Sequence, residues 1–229
     1  MTTMRVAELW RYPVKSLAGE RLEATELTGA GLPGDRVVQV WDDRDMVLTA
    51  RTHPRLLGLR ATLGSDGEPL VNGLPWTAPE VADAIHGAAG AAARLVRNDG
   101  PERFDVLPLL IATDGAIGHL GVDRRRFRPN ILIEGVEGLA EQAWPGGSLR
   151  IGETVIGVKK RRGRCVMTTY DPDTLEQDPS VLRRVIRELG GRLGLDCYVV
   201  RGGRLAVGDH VELLAGERAR AGTLVPRSA

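Results

Sequence analysis

Cys165 follows Lys159-Lys160-Arg161-Arg162-Gly163-Arg164, so a thiol stands beside five cations. Positive charge stabilises a thiolate, the form that attacks electrophiles and ligates soft metals. On charge context alone the plainer reading is favoured: a solvated charge run followed by an ordinary buried cysteine. Other basic residues recur at the ends of segments. Tyr12-Pro13-Val14-Lys15-Ser16 places an ammonium and a hydroxyl just after a first strand. Gly34-Asp35-Arg36 places a guanidinium at a turn opening a strand, and Phe127-Arg128-Pro129-Asn130 places Arg128 and Asn130 at the mouth of another. Lys15 is one of only three lysines, with Lys159 and Lys160, in a chain that otherwise uses arginine. It is therefore a candidate for a place that wants a compact ammonium rather than a planar fork. Cations converging on one point suit a phosphate-bearing anion, and a cysteine beside them suits a soft metal carried by that anion. Singly, each piece has a bland alternative. Arg36 with Asp35 is equally a surface ion pair, Arg128 one more charge beside Arg124, Arg125 and Arg126, and Asp171-Pro172-Asp173 a simple turn.

Several classes of chemistry are excluded by pattern. The chain has no GxGxxG after a strand, no P-loop, no GxSxG and no HExxH. Two cysteines, Cys165 and Cys197, are too few for a disulfide framework and cannot supply an iron–sulfur cluster. The four histidines, His53, His86, His119 and His210, are scattered. Thirty-one basic against 30 acidic residues leave a net charge of +1, which argues against nucleic-acid or membrane-surface binding. No apolar run reaches the ~20 residues of a membrane span, and residues 1–6 lack a signal-peptide core. The expectation is a cytoplasmic protein with free thiols.

The elements that must position these residues are mostly short strands punctuated by Gly and Pro, in a chain of 229 residues, long enough for one large domain or two small ones. Residues 4–11, 37–41, 46–49, 56–63 and 94–97 read as strands, with 42–45 a hairpin turn, and 78–93 as an Ala-rich helix. Beyond a joint at Asp99-Gly100-Pro101, residues 107–112, 130–133 and 149–158 read as strands, the last broken at Gly152. Thr113 or Asp114 caps a short helix running to Leu120. The clearest helix starts at Asp178-Pro179, carries Val181, Leu182, Val185, Ile186 and Leu189 as an apolar stripe, and stops at Gly190-Gly191. Residues 197–201 and 204–207 read as a hairpin through Gly202-Gly203, followed by a strand at 210–214. The expected fold is mainly β with a few helices, an α+β barrel or sandwich. Residues 1–99 form a β-rich N-terminal domain, 100–215 a second domain, and 216–229 a flexible tail. That tail contains a candidate cloning remnant at Leu224-Val225-Pro226-Arg227.

Taken in order, the motifs resemble a MOSC-domain protein with its N-terminal MOSC β-barrel companion, of the amidoxime-reducing component type. The pieces that carry the resemblance are Tyr12-Pro13-Val14-Lys15-Ser16, Gly34-Asp35-Arg36, Arg126-Phe127-Arg128-Pro129-Asn130, Val207-Gly208-Asp209 and, most specific, residues 164–174. The resemblance implies molybdenum cofactor, a phosphate-bearing pterin dithiolene, with Cys165 as the protein ligand to molybdenum. It implies Lys15, Ser16, Arg36, Thr113, Arg128, Asn130, Arg164 and Tyr198 as residues around the cofactor. It also implies reduction of small N-hydroxylated or N-oxide substrates, with electrons from a separate ferredoxin-like or cytochrome-like protein. Asp171, beside the metal loop, is a candidate proton relay. A carrier of the cofactor or its sulfur, without turnover, is the alternative. Two departures stand out: Ala116 occupies the place of a second hydroxyl, and Leu175 replaces the glycine that often follows Asp-Pro-Asp-Thr.

Overall fold

The two longest strands, of ten residues each, are built on apolar stretches: Thr154 to Val158 ahead of the charge run, and Leu193 to Val200. The computed structural model describes residues 3–214; the tail expected at 216–229 lies outside them. The strands are β1 Arg5–Arg11, β2 Glu20–Leu22, β3 Ala24–Leu27, β4 Val38–Trp41, β5 Val47–Leu48, β6 Ala61–Leu63, β7 Pro69–Val71, β8 Leu74–Pro75 and β9 Arg94–Arg97. They continue as β10 Leu109–Thr113, β11 Ile131–Glu134, β12 Ser148–Ile151, β13 Thr154–Gly163, β14 Arg192–Arg201, β15 Gly203–Ala206 and β16 Val211–Leu214. Three helices complete the frame: α1 Pro79–Ala89, α2 Asp114–Leu120 and α3 Pro179–Leu189. The mixed α+β architecture is the expected one.

Eight strands share one sheet in the order β16-β12-β13-β14-β10-β11-β1-β2. Only β10 and β11 run parallel, joined through α2. The first strand thus pairs with β11 from the far half of the chain. The hydrophobic clusters follow the same plan. Val6, Leu9, Leu27 and Leu32 pack with Leu109, Ile131, Ile156 and Leu195, whereas Val14, Leu17, Val38 and Leu56 pack with Val81 and Ile85. The chain therefore crosses the division expected at Asp99: its first strand belongs to the core of the second half. Each fully buried Leu or Ile contributes about 1.5–3 kcal/mol, and this crossing fixes residues 12–17, which connect the two cores.

Three local expectations are corrected. Strand β13 does not stop at Val158 but runs through the charge run to Gly163. Its register against β14 slips at Val158/Lys160 and again at Arg161/Gly163, and such bulges re-aim side chains. Residues 54–58 are a 3-10 turn started by Pro54, so only 61–63 of the expected strand form. The hairpin at 197–207 does not exist, because β15 pairs with β3 instead of β14. Gly202 permits it: a Cβ there would stand 2.3 Å from the Leu27 carbonyl oxygen.

Helix α3 follows its sequence signals closely. The Asp178 carboxylate accepts from Ser180 N–H, Gly190 closes the end in the left-handed region at φ 64°, and Val181, Val185 and Leu189 are buried. Ile186 departs from the stripe, at 57% exposed.

Candidate functional site

The strand ends and turns converge on a cavity of about 710 Å³ lined by ten cationic side chains and two carboxylates, Asp105 and Asp196. Lys15, Ser16, Arg36, Arg128, Asn130, Arg164 and Cys165 all line it. Seven residues proposed from separate motifs, spread over 150 positions of sequence, thus line one cavity. Cys165 opens a 3-10 turn, Val166–Thr169, just beyond the end of β13, and its backbone is extended. Its thiol is partly exposed, whereas Cys197 is buried and burial pushes its thiol well up.

Backbone conformation marks the same residues. Ser16 (φ 74°), Arg36 (φ 57°) and Arg128 (φ 54°) all sit in the left-handed region, which non-glycine residues disfavour by roughly 1–2 kcal/mol each. Local strain of this kind persists only where surrounding contacts hold it. Here those contacts are visible. Ser16 Oγ accepts from Ala50 N–H at 3.0 Å. Arg36 ion-pairs with fully buried Asp35, which also accepts from Tyr12 N–H at 2.8 Å and from Asn130 Nδ2 at 3.3 Å. The expected surface pair of Asp35 and Arg36 is therefore a buried brace. Asn130 accepts from Leu110 N–H at 3.1 Å and donates to Trp10 O at 3.3 Å, so its amide orients strands.

The cations differ in how far the protein satisfies them. Lys15 Nζ donates to Arg103 O at 3.0 Å and to Asp105 at 2.8 Å. Arg162 pairs with Asp196 at 2.9 Å and reaches Asp105 at 3.5 Å. Arg128 has only the face of Tyr12, 4.2 Å from its ring centre, and makes no side-chain hydrogen bond among the described residues. Arg164 donates one N–H to Phe127 O at 2.8 Å, while its Nε is buried without a partner. Burial pushes Arg128 down to about 10. Burial, then the neighbouring Arg162 charge, pushes Arg164 down to about 10. Burial likewise pushes Tyr12 up to about 12. In the same lining, Asp196 Oδ2 is also buried without a partner. An orphaned donor and an orphaned acceptor in one cavity fit a ligand that carries both oxyanions and N–H groups.

Three expected contacts lie elsewhere. Thr113 is fully buried behind the cavity, where its Oγ1 accepts from Ala116 N–H as the cap of α2 and donates to Glu141 at 3.3 Å. Ala116 is buried in the same place, so the hydroxyl missing there takes nothing from the cavity. Tyr198 is 43% exposed on the outer face of β14, its ring lying across Gly157, whose Cβ would stand 2.3 Å from it. Asp171 is not a free relay. The backbone N–H groups of Thr174 and Asp173 hold its carboxyl below the usual carboxylate range, and Arg126 pairs with it at 2.8 Å. Leu175 keeps the loop shape a glycine would favour, at φ 61°.

Sequence reasoning missed Asp105, Arg161, Arg162 and Asp196. The run at 159–162 looked like a solvated face; the two bulges turn Arg161 and Arg162 to the cavity. Arg126 was also missed. It donates to Thr169 O at 3.0 Å and to Asp171, clamping the turn that carries Cys165. Arg126→Gln is expected to lower stability by about 1–2 kcal/mol and to raise the alkylation rate of Cys165 by iodoacetamide severalfold. Buried Cys197 serves as the internal control in the mass spectrum.

A β-rich two-part chain with a cysteine at the edge of a basic cavity defines a class, and comparison with known proteins names it. Residues 110–212 match the MOSC domain and residues 3–94 match the MOSC N-terminal beta barrel domain. The chain belongs to the MOSC-domain proteins that carry this N-terminal barrel. It is 28% identical to human mitochondrial amidoxime-reducing component 1, over 74% of this chain and 67% of that one. It is 27% identical to Macaca fascicularis mitochondrial amidoxime reducing component 2, over 90% and 82%. A Caenorhabditis elegans molybdenum cofactor sulfurase is 24% identical over 77% of this chain, which spans 30% of that protein. The YUAD protein from Bacillus subtilis shares the fold, with a TM-score of 0.53 at 14% identity over 94% of this chain and 97% of that one. The cytoplasmic expectation is overturned by the amidoxime-reducing relatives, which are named as mitochondrial components. No helix among the described residues is long and apolar enough to cross a membrane.

Proposed function

We propose that this chain binds molybdenum cofactor in the basic cavity and reduces small N-hydroxylated or N-oxide compounds, taking electrons from a separate protein. The observation that carries the proposal is the pair Arg128 and Arg164, without a carboxylate partner, in the lining that holds Cys165, where Arg164 Nε and Asp196 Oδ2 are both buried without a hydrogen-bond partner. A phosphorylated pterin offers both the acceptors and the donors those atoms lack. Among the described residues no cluster of His, Cys, Asp and Glu could hold a metal. That is consistent with a metal carried by an organic ligand and completed by one thiolate. When bound, the cofactor supplies two-electron removal of oxygen from an N–O group.

The chain's own residues bind and orient. Arg128 and Arg164 would donate to the phosphate and pterin oxygens, Asp196 would accept from the pterin N–H groups, and Cys165 would ligate the metal. Lys15 and Arg162, each paired with Asp105, are cations of the same lining that the protein already balances. Asp35 and Asn130 fix the strand mouths, which keeps the cations preorganised.

The test is protein made in a host competent for the cofactor. Near-stoichiometric molybdenum, together with reduction of a model amidoxime by an artificial reductant, is the expected result. Molybdenum without turnover would leave a carrier, and protein without molybdenum would refute the cofactor assignment.

A further inference from the structure

A second cavity, of about 380 Å³, lies beyond Arg126, Arg128 and Met167, which line both cavities. Its walls are aromatic and cationic at once. Trp10, Tyr12 and Tyr170 supply the rings, with Tyr12 almost fully buried. Arg21 and Arg60 stand exposed at the rim and Arg128 lies over the Tyr12 face. Among the described residues, none of these three guanidiniums makes a side-chain hydrogen bond or an ion pair.

The neighbouring charges are already matched. Asp173 is the one carboxylate in the lining, and Arg125 holds it through two bonds of 2.8 and 2.6 Å. Arg126 is taken by Asp171 and Thr169 O. With the Tyr12 face already covered by Arg128, the cavity presents the partly exposed rings of Trp10 and Tyr170 and uncompensated positive charge, with no free side-chain carboxylate for a cation. A size of this order suits a small ligand. A neutral ring would leave the guanidiniums unanswered, and an inorganic anion would leave the aromatic faces unused.

We propose that this second cavity binds a planar aromatic ring that carries an oxyanion, either a carboxylate or a phosphate. The assignment shares Arg128 with the cofactor reading but needs no molybdenum, and it is tested at Arg21 and Arg60, which line the second cavity and not the first.

Isothermal titration with benzoate and with phenyl phosphate tests it. Acetate carries the charge without the ring and benzamide the ring without the charge; phenyl phosphate is titrated with inorganic phosphate in excess, which occupies the first cavity. Saturable one-to-one binding is expected for an aromatic acid, and the tighter of the two probes identifies the anion. Arg21→Gln and Arg60→Gln are each expected to weaken it roughly tenfold, the scale of one charged hydrogen bond. Both side chains are exposed and unpartnered, so thermal melts of the variants should match the parent. Equal affinity for benzamide or for acetate would overturn the proposal, as would unchanged aromatic-acid affinity in the Arg21→Gln, Arg60→Gln double variant.

Discussion

Cys165→Ser is expected to fold as the parent does and to lose amidoxime reduction by at least roughly a hundredfold, beyond the loss typical of residues that only support a ligand. The physical case rests on how little else the thiol does. Cys165 is partly exposed, its backbone is extended, and its Sγ donates no hydrogen bond among the described residues. A serine there keeps the shape, so stability should move by no more than about 0.5 kcal/mol. What changes is the ligand: an alcohol stays protonated where a thiolate binds a soft metal. The cations of the cavity remain, so the phosphate end of the cofactor keeps its partners. Molybdenum content and turnover are measured on the same samples. Equal activity in the two proteins would remove Cys165 from the chemistry.

The legibility of the site varied with the kind of information each residue carries. Lys15, Ser16, Arg36, Arg128 and Arg164 were readable because each lies within two or three residues of a turn signal, proline or glycine, at a segment end. Turn chemistry is local, and so is the capping of α2 and α3. The left-handed backbone at Ser16, Arg36 and Arg128 was not readable, because side-chain type there disfavours it; at Ser16 and Arg36 it is sustained by contacts with Ala50 and Asp35, and Arg128 closes the turn begun at Arg125. Arg161 and Arg162 were hidden for a related reason. Their direction depends on two bulges in the β13–β14 ladder, which arise from pairing between distant segments. Tyr198 failed by one face of a strand: a period of two sends alternate side chains to opposite sides, and it stands on the outside.

Burial explains why the crossing of the chain between its two cores was also invisible. Residues 4–11 carry an ordinary strand pattern, and nothing local says whether β1 pairs with a neighbour or with β11, over 120 residues later. The pairing is settled by the joint burial of Val6 and Leu9 with Ile131 and Ile133. That long-range choice has a local effect, since it carries Tyr12 to the point where Arg36 and Arg128 both lie over its ring, at 5.2 and 4.2 Å.

Arg128→Met is expected to make the ligand-free protein more stable and the anion site far weaker. The guanidinium has no hydrogen-bond partner among the described residues, and burial pushes it from its ordinary value down to about 10. Holding it charged at neutral pH therefore costs on the order of 3 kcal/mol. Methionine keeps contact with Tyr12 through its thioether and forfeits about 0.5–2 kcal/mol of cation–π attraction. A net gain of about 1–2 kcal/mol follows, read from the urea midpoint. The sign with pH is fixed by the same shift. The folded protein releases this proton near pH 10 and the unfolded chain only above it, so the penalty is full below about 10 and fades as pH rises through it. The advantage of Arg128→Met should accordingly shrink above pH 10. Binding of inorganic phosphate should fall at least roughly a hundredfold, because a partly desolvated cation facing an anion is worth several kcal/mol. Arg128→Lys should retain part of that affinity, since it keeps the charge but not the planar fork that stacks on Tyr12. A lower urea midpoint for Arg128→Met at neutral pH would mean that Arg128 supports the fold rather than waiting for a ligand.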